Sequence, residues 1–332
     1  SGAPPLKVQF TNLTTGDYNE CLWDFGDDQT SDLCDDPQHT YSKPGIYAVN
    51  LEVTGPGGVG KMTRTNYITV HSKPLADFSA SPTSGIAPLK VQFTNLSAGN
   101  YDECLWDFGD SLTADGCNGP AHTYFQPGAY TVILEVKGPG GNDQKVKTDF
   151  IIVHDLTSAN FSATPTSGVP PLKVEFTNLS MGDYDDCLWD FGDGYTSAMC
   201  DDLSHTYTTS GKFTVSLKIK GPGSESDFTR TDFITVYTPP VAAFSASPSS
   251  GVPPLIVEFT NLSTGDYDEC LWDFGDGSRE SYCGNPKHEY RSAGDYTVVL
   301  TVTGAGGEHT LIDEHCVTVG EYFIFLPRIF GN

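Results

Sequence analysis

Four histidines, His39, His122, His205 and His288, each lie downstream of the aspartates of an FGD stretch. A histidine beside a carboxylate is the pair from which general-base catalysis is built. Repetition favours another use: a residue that recurs in every copy of one motif is expected to hold a strand crossing by hydrogen bonds. His309 and His315 occur only near the end of the chain, with no cysteine or carboxylate signature to complete a known site. No GxSxG, HExxH or phosphate-binding glycine loop followed by lysine is present. The expectation is a chain that is not an enzyme, with no catalytic residues.

Metal chemistry has two openings. Asp183, Asp185, Asp186 and Asp193 supply hard oxygen atoms of the kind calcium prefers. No EF-hand-like loop surrounds them, however, and aspartate is also a turn residue. Eight cysteines fall into pairs separated by 13 positions: Cys21 and Cys34, Cys104 and Cys117, Cys187 and Cys200, Cys270 and Cys283. Zinc would need matching histidines, because two cysteines make half a site. One disulfide within each repeat is the expected state, and closing a loop of that size stabilises by about 3 kcal/mol. No cofactor and no resident metal is expected, with calcium the weaker alternative. The ninth cysteine, Cys316, aligns with Tyr67, Phe150 and Phe233 and is expected to be a buried free thiol.

These residues are positioned by a repeat. CLWDFGD begins at Cys21, Cys104, Cys187 and Cys270, a spacing of 83 residues each time. Trp23, Trp106, Trp189 and Trp272 share the period, as do Asn12, Asn95, Asn178 and Asn261. Within a copy the pattern alternates with period two. Val91 and Phe93 oppose Lys90 and Gln92, and Tyr130, Val132, Leu134 and Val136 oppose Thr131, Ile133 and Glu135. Phe213, Val215, Leu217 and Ile219 oppose Thr214, Ser216, Lys218 and Lys220. One buried and one wet face is the mark of an antiparallel sandwich. GPGG at 55–58 and 138–141 predicts tight connections, and no amphipathic helix is expected.

The combination of WDFGD, HTY and PG-x-Y-x-V-x-L-x-V resembles the PKD domain, an immunoglobulin-like β-sandwich. The match is good at 189–194 with His205, Tyr207 and Gly211, and at 272–277 with His288, Tyr290 and Gly294. Asp28 and Ser111 replace the last glycine of FGDG, which is expected to alter one turn without threatening the fold. The paired cysteines are an addition to the ordinary pattern. The resemblance implies an all-β chain of four tandem immunoglobulin-like, PKD-type sandwiches, at 1–71, 72–154, 155–237 and 238–320, with a tail at 321–332. It also implies an extracellular or cell-surface setting, in which such domains are spacers, adhesive modules or accessories to secreted hydrolases.

Short linkers, two of them stiffened by Pro74 and by Pro239 and Pro240, predict an elongated rod. Units of about 30 Å diameter would extend it to roughly 120–160 Å. A net charge of -25, from 43 acidic and 18 basic residues, argues against nucleic acid as a partner. No apolar run approaches the ~20 residues of a transmembrane helix. The chain opens without an initiator methionine or signal peptide, so its numbering is expected to start at a processed or trimmed end. Asn12, Asn95, Asn178, Asn261 and Asn160 are N-x-S/T sequons and candidate glycan acceptors.

The repeat frame carries the functional expectation. Copies two to four open with LADFSASPT, SANFSATPT and VAAFSASPS, whereas the first copy starts at the Ser-Gly that follows this segment. The tail fills the frame position where such a segment belongs. Tyr322, Phe323, Ile324, Phe325, Leu326, Ile329 and Phe330 make it a candidate donor strand for domain 1 of another copy. Phe244 aligns with Pro327, so the donor must slide by a residue or more. The partner is then the protein itself, in a head-to-tail homopolymer that builds an extracellular fibre. A monomeric surface spacer or adhesin, or an accessory region of a secreted protein that binds surface glycans or proteins, is the alternative.

Overall fold

The computed structural model describes residues 1–321. Domain 1 contains β1 (Leu6–Gln9), β2 (Glu20–Asp24), β3 (Thr30–Ser31), β4 (Gln38–Tyr41), β5 (Gly45–Gly55) and β6 (Gly58–Val70). Domain 2 contains β7 (Phe78–Ser81), β8 (Ser84–Ile86), β9 (Leu89–Asn95), β10 (Glu103–Asp107), β11 (Thr113–Asp115), β12 (Ala121–Tyr124), β13 (Gly128–Gly138) and β14 (Gly141–His154). The third and fourth domains repeat the eight strands of domain 2, from Phe161–Thr164 to Glu225–Val236 and from Phe244–Ser247 to Gly307–Val319. The chain divides between Leu156 and Thr157 into two units of two sandwiches each.

In domain 2 the alternation becomes two sheets. β7, β9 and β12 form a three-stranded antiparallel sheet with β9 in the centre. The second sheet runs β11-β10-β13-β14-β8, with β8 added in parallel to β14. Leu89, Val91 and Phe93 point inward from β9, and Val132, Leu134 and Val136 point inward from β13, all buried. Their inner faces close on each other around Trp106, which is fully buried. The third and fourth sandwiches enclose Trp189 and Trp272 in the same way.

The connections follow from residue type. The GPGG segments turn β5 into β6 and β13 into β14, with Gly58 and Gly141 at φ of 110° and 116°, where a side chain is strained. A bulge shifts the register of each long hairpin, between Tyr47 and Val49 in domain 1 and at matching places in the others. Opposite it, Asn66, Asp149, Asp232 and His315 take positive φ. The FGDG turn departs from expectation. Asp28 and Ser111 hold φ of 69° and 72°, the left-handed region also used by Gly194 and Gly277, so the turn is kept. The replacement is borne as backbone strain of about 1 kcal/mol per residue. No helix among the described residues is long and apolar enough to cross a membrane.

Candidate functional site

The repeated histidines are committed within each sandwich. His39 Nε2 donates to Asp27 Oδ2 at 2.8 Å, and His122, His205 and His288 donate to Asp110, Asp193 and Asp276 at 2.7, 2.7 and 2.8 Å. Each ring stacks on the phenylalanine of its own FGD turn, as His39 does on Phe25 at 4.1 Å between centroids. The neighbouring tyrosine is buried and donates to the carbonyl of that phenylalanine, Tyr41 to Phe25 O at 3.0 Å. Burial, then the nearby aspartates, pushes the phenols of Tyr41, Tyr124 and Tyr207 well above their ordinary value, so they stay protonated donors. This arrangement braces the FGD turn against the strand that carries the histidine.

Disulfides join Cys21 to Cys34, Cys104 to Cys117, Cys187 to Cys200 and Cys270 to Cys283, with Cα atoms 5.1, 4.9, 5.3 and 5.0 Å apart. The asparagine of TNL locks onto the far end of each. Asn12, Asn95, Asn178 and Asn261 donate through the side-chain amide to the carbonyls of Cys34, Cys117, Cys200 and Cys283. Their Oδ1 atoms accept the N–H of the Ser or Thr of the sequon. Asn160 is different, with an exposed side chain at the edge of the third sandwich. Cys316 is a free thiol, partly rather than fully buried, and burial followed by Asp313 pushes it up to about 12.

One site breaks the repetition. In domain 2, β7 lies along the edge of β9, and Phe78 inserts between Trp106, at 5.4 Å, and Phe150, at 5.6 Å. Phe161 and Phe244 stand against Trp189 and Trp272, both at 5.2 Å. In domain 1, β1 pairs with β4, and no strand among the described residues pairs with its other edge. An apolar groove of about 600 Å³ occupies that place, walled by Phe10, Trp23, Leu51, Val53, Tyr67 and Ile68. Leu51 is half-buried where Leu134, Leu217 and Leu300 are fully buried. Tyr67, whose counterpart Phe150 covers Phe78, is 47% exposed.

The polar fittings for an edge strand are split between kept and lost. Leu96 N donates to Asp77 O at 2.8 Å and Ser97 Oγ receives Asp77 N at 3.2 Å; the equivalent positions in domain 1 are Leu13 and Thr14. Lys147 donates to Phe78 O and lies over the rings of Phe78 and Phe150 at 4.7 and 4.9 Å. Arg64 takes that position in domain 1, 4.9 Å from the centre of the Tyr67 ring. A second fitting has no counterpart. Ala76 N donates to Asp143 Oδ2 at 2.8 Å, Ala159 N to Ser226 Oγ at 3.0 Å and Ala242 N to His309 Nδ1 at 3.0 Å. The matching residue of domain 1 is Gly60. His309 therefore has a structural use that sequence spacing did not suggest.

Among the described residues, no group of three or more His, Cys, Asp or Glu side chains converges to hold a metal ion. Asp193 is engaged with His205 instead. The expected donor residues Tyr322, Phe323, Ile324, Phe325, Leu326, Ile329 and Phe330 lie outside the described residues.

The PKD domain family matches four times, over residues 2–70, 71–153, 157–236 and 238–319. The chain belongs to the PKD domain family. One curated relative is collagenase ColA of Bacillus cereus, 37% identical over 78 residues, which is 22% of this chain and 8% of the collagenase. The chain thus spans less than a tenth of that relative. Among solved structures, an I-band fragment of titin is similar, at a TM-score of 0.53 and 11% identity over 76% of this chain and 99% of the fragment. A 3Ig structure of the same titin domains with Glu-to-Ala changes gives the same TM-score, 0.53, at 11% identity and the same coverage of 76% and 99%. At that identity the likeness is one of fold: PKD sandwiches and titin immunoglobulin domains share the architecture. Disulfide-bonded PKD repeats fit an extracellular protein with an adhesion or spacer role.

Proposed function

We propose that this PKD chain is a structural subunit of an extracellular fibre, in which residues 322–330 of one copy fill the open edge of domain 1 in the next. The observation that supports the reading is the groove beside Trp23 and Ile68, because its counterparts in the other three sandwiches are each sealed by an edge strand that opens on phenylalanine. An unsealed edge leaves unpaired backbone groups and apolar surface in water, and a strand from elsewhere corrects both. The tail is a run of apolar residues from Tyr322 to Leu326, followed by Ile329 and Phe330, which supplies apolar side chains to whichever face of an inserted strand meets the core. The contact joins two different surfaces, so it propagates head to tail. The reading needs no cofactor, and the acidic charge disfavours nucleic acid as a partner.

The test compares the full chain with a form lacking residues 321–332, by electron microscopy and sedimentation. Filaments from the full chain and monomers from the shortened one are expected. Filaments from both would sink the reading, as would a longer form of the protein in which residues ahead of Ser1 fill the groove of their own domain. A full chain that stays monomeric at high concentration would favour a spacer or an accessory module, the setting in which the collagenase relative carries its similar segment.

A further inference from the structure

In the second, third and fourth sandwiches, the segment leading into the strand that seals the groove carries a buried alanine two residues before the phenylalanine: Ala76, Ala159 and Ala242. Its amide N–H is taken each time by a side chain from the last long strand, and the acceptor differs: Asp143, Ser226 or His309. A carboxylate, a hydroxyl and an imidazole share only the ability to accept a hydrogen bond. The selected property is satisfaction of that one buried N–H, which would otherwise be costly.

Domain 1 has Gly60 at this position, paired across the hairpin with Val53 just as Asp143 is paired with Val136. Gly60 offers no acceptor. It also leaves empty the space that the three acceptor side chains fill. Proline is the one residue that suits both conditions. It has no N–H, and its ring carbon on nitrogen projects where the hydrogen would have pointed.

The tail contains a single proline, Pro327. Granting strand donation, we infer that Pro327 of a second copy docks against Gly60 and seats Ile329 beside Trp23, in the place that Phe78 takes beside Trp106. Leu326 then falls at the position of Leu75, which bridges to Ala98 in domain 2. The strict 83-residue frame would set Pro327 where Phe244 stands, so the donor slides by two residues relative to that frame. A slide of two keeps the same set of residues facing the core. Arg328 falls at the position of Asp77, Asn160 and Ala243, near the exposed Arg64, where water and salt screen the like charges. The groove discriminates as well as accepts. An edge strand from domain 2, 3 or 4 placed here would bury its alanine N–H with no acceptor, which biases domain 1 against capturing β7 or its counterparts.

A swap of the two residues tests the pairing in the full chain, read as the critical concentration for assembly by sedimentation. Pro327→Ala restores an N–H that Gly60 cannot satisfy and should weaken assembly roughly tenfold to a hundredfold. Gly60→Asp should weaken it similarly by filling the space of the proline ring; a Cβ there lies 3.3 Å from Val53 Cγ2, a contact that Val136 and Asp143 accommodate in domain 2. The double variant rebuilds the alanine-to-aspartate hydrogen bond of domain 2 and should assemble near the level of the unaltered chain. If Pro327→Ala assembles normally, or if the double variant is no better than Gly60→Asp alone, the pairing is wrong. Strand donation still stands in that case, provided the chain lacking 321–332 fails to assemble. Unchanged assembly of that shortened chain removes strand donation and this pairing together.

Discussion

Phe78 meets Trp106 edge to face at 5.4 Å between ring centroids, and beside Trp23 no ring among the described residues takes the corresponding place. The two indoles are otherwise held alike, Trp106 Nε1 donating to Gly116 O at 3.2 Å and Trp23 Nε1 to Leu33 O at 3.1 Å. The difference therefore lies in the edge strand and not in how the tryptophan is anchored.

Phe161→Ala should turn the third sandwich into a copy of the first. Phe161 is buried against Phe176, Trp189, Phe228 and Phe233, and its removal should cost about 3–5 kcal/mol. Calorimetry of the full chain checks this: one transition should move to lower temperature, with fluorescence quenching of Trp189 increased. A variant that melts like the parent would make the edge strand peripheral to the core.

The sandwich itself was legible in the sequence because its determinants are local and repeated. The alternation in LKVQF, the glycines of GPGG and the paired cysteines each report on neighbours within a few residues or at one fixed spacing. The amide acceptors were not legible. Asp143, Ser226 and His309 share a position in the 83-residue frame but no residue type, and they sit 67 residues from the N–H groups they satisfy, so the frame aligns them without revealing that they accept the same hydrogen bond. By residue type alone Asp28 and Ser111 predict a changed turn, because composition does not reveal that the surrounding strands hold φ positive whatever residue is there.

That strain can be relieved. Ser111 stands at φ 72° where the third and fourth repeats have Gly194 and Gly277, and the turn is exposed. Ser111→Gly should stabilise domain 2 by about 0.5 kcal/mol, the strain of about 1 kcal/mol less the greater freedom that glycine gives the unfolded chain. Chemical denaturation with an unchanged slope and a higher midpoint would verify it. A lower midpoint would mean that the serine side chain contributes more than the backbone loses.

Sequons divide into two kinds. Asn178 donates to Cys200 O at 2.7 Å and to Tyr184 Oη at 3.4 Å and accepts Ser180 N at 3.0 Å, so both amide hydrogens are engaged and a glycan, which replaces one of them, would have to displace one of those two bonds. Asn12, Asn95 and Asn261 hold the matching cysteine carbonyl in the same way. Asn160 is exposed, and its backbone rather than its side chain is bonded to Ser180. Peptide mass mapping of protein from a glycosylating host should find carbohydrate at Asn160 and none at the four TNL asparagines. Asn178→Ala should also destabilise the third sandwich by about 1–3 kcal/mol, because it strands the carbonyl of Cys200.

Asp276 links the fourth sandwich to pH. Its partial burial pushes the carboxyl up, but hydrogen bonds from His288 and Ser278, with the charge of His288, outweigh this and hold it below the ordinary aspartate value. As acid is added, the unfolded chain therefore takes up the proton first, near ~3.9. The stability that Asp276 supplies is fully present above that value and drains as pH falls through the lower folded one. Thermal scans between about pH 5 and 2 should show the transition of the fourth sandwich falling more steeply in the parent than in Asp276→Asn. Asparagine cannot titrate, so the difference in slope isolates this carboxylate from the many others on an acidic surface. Parallel slopes would mean that His288 and Ser278 hold Asp276 no better in the folded sandwich than water does in the unfolded chain.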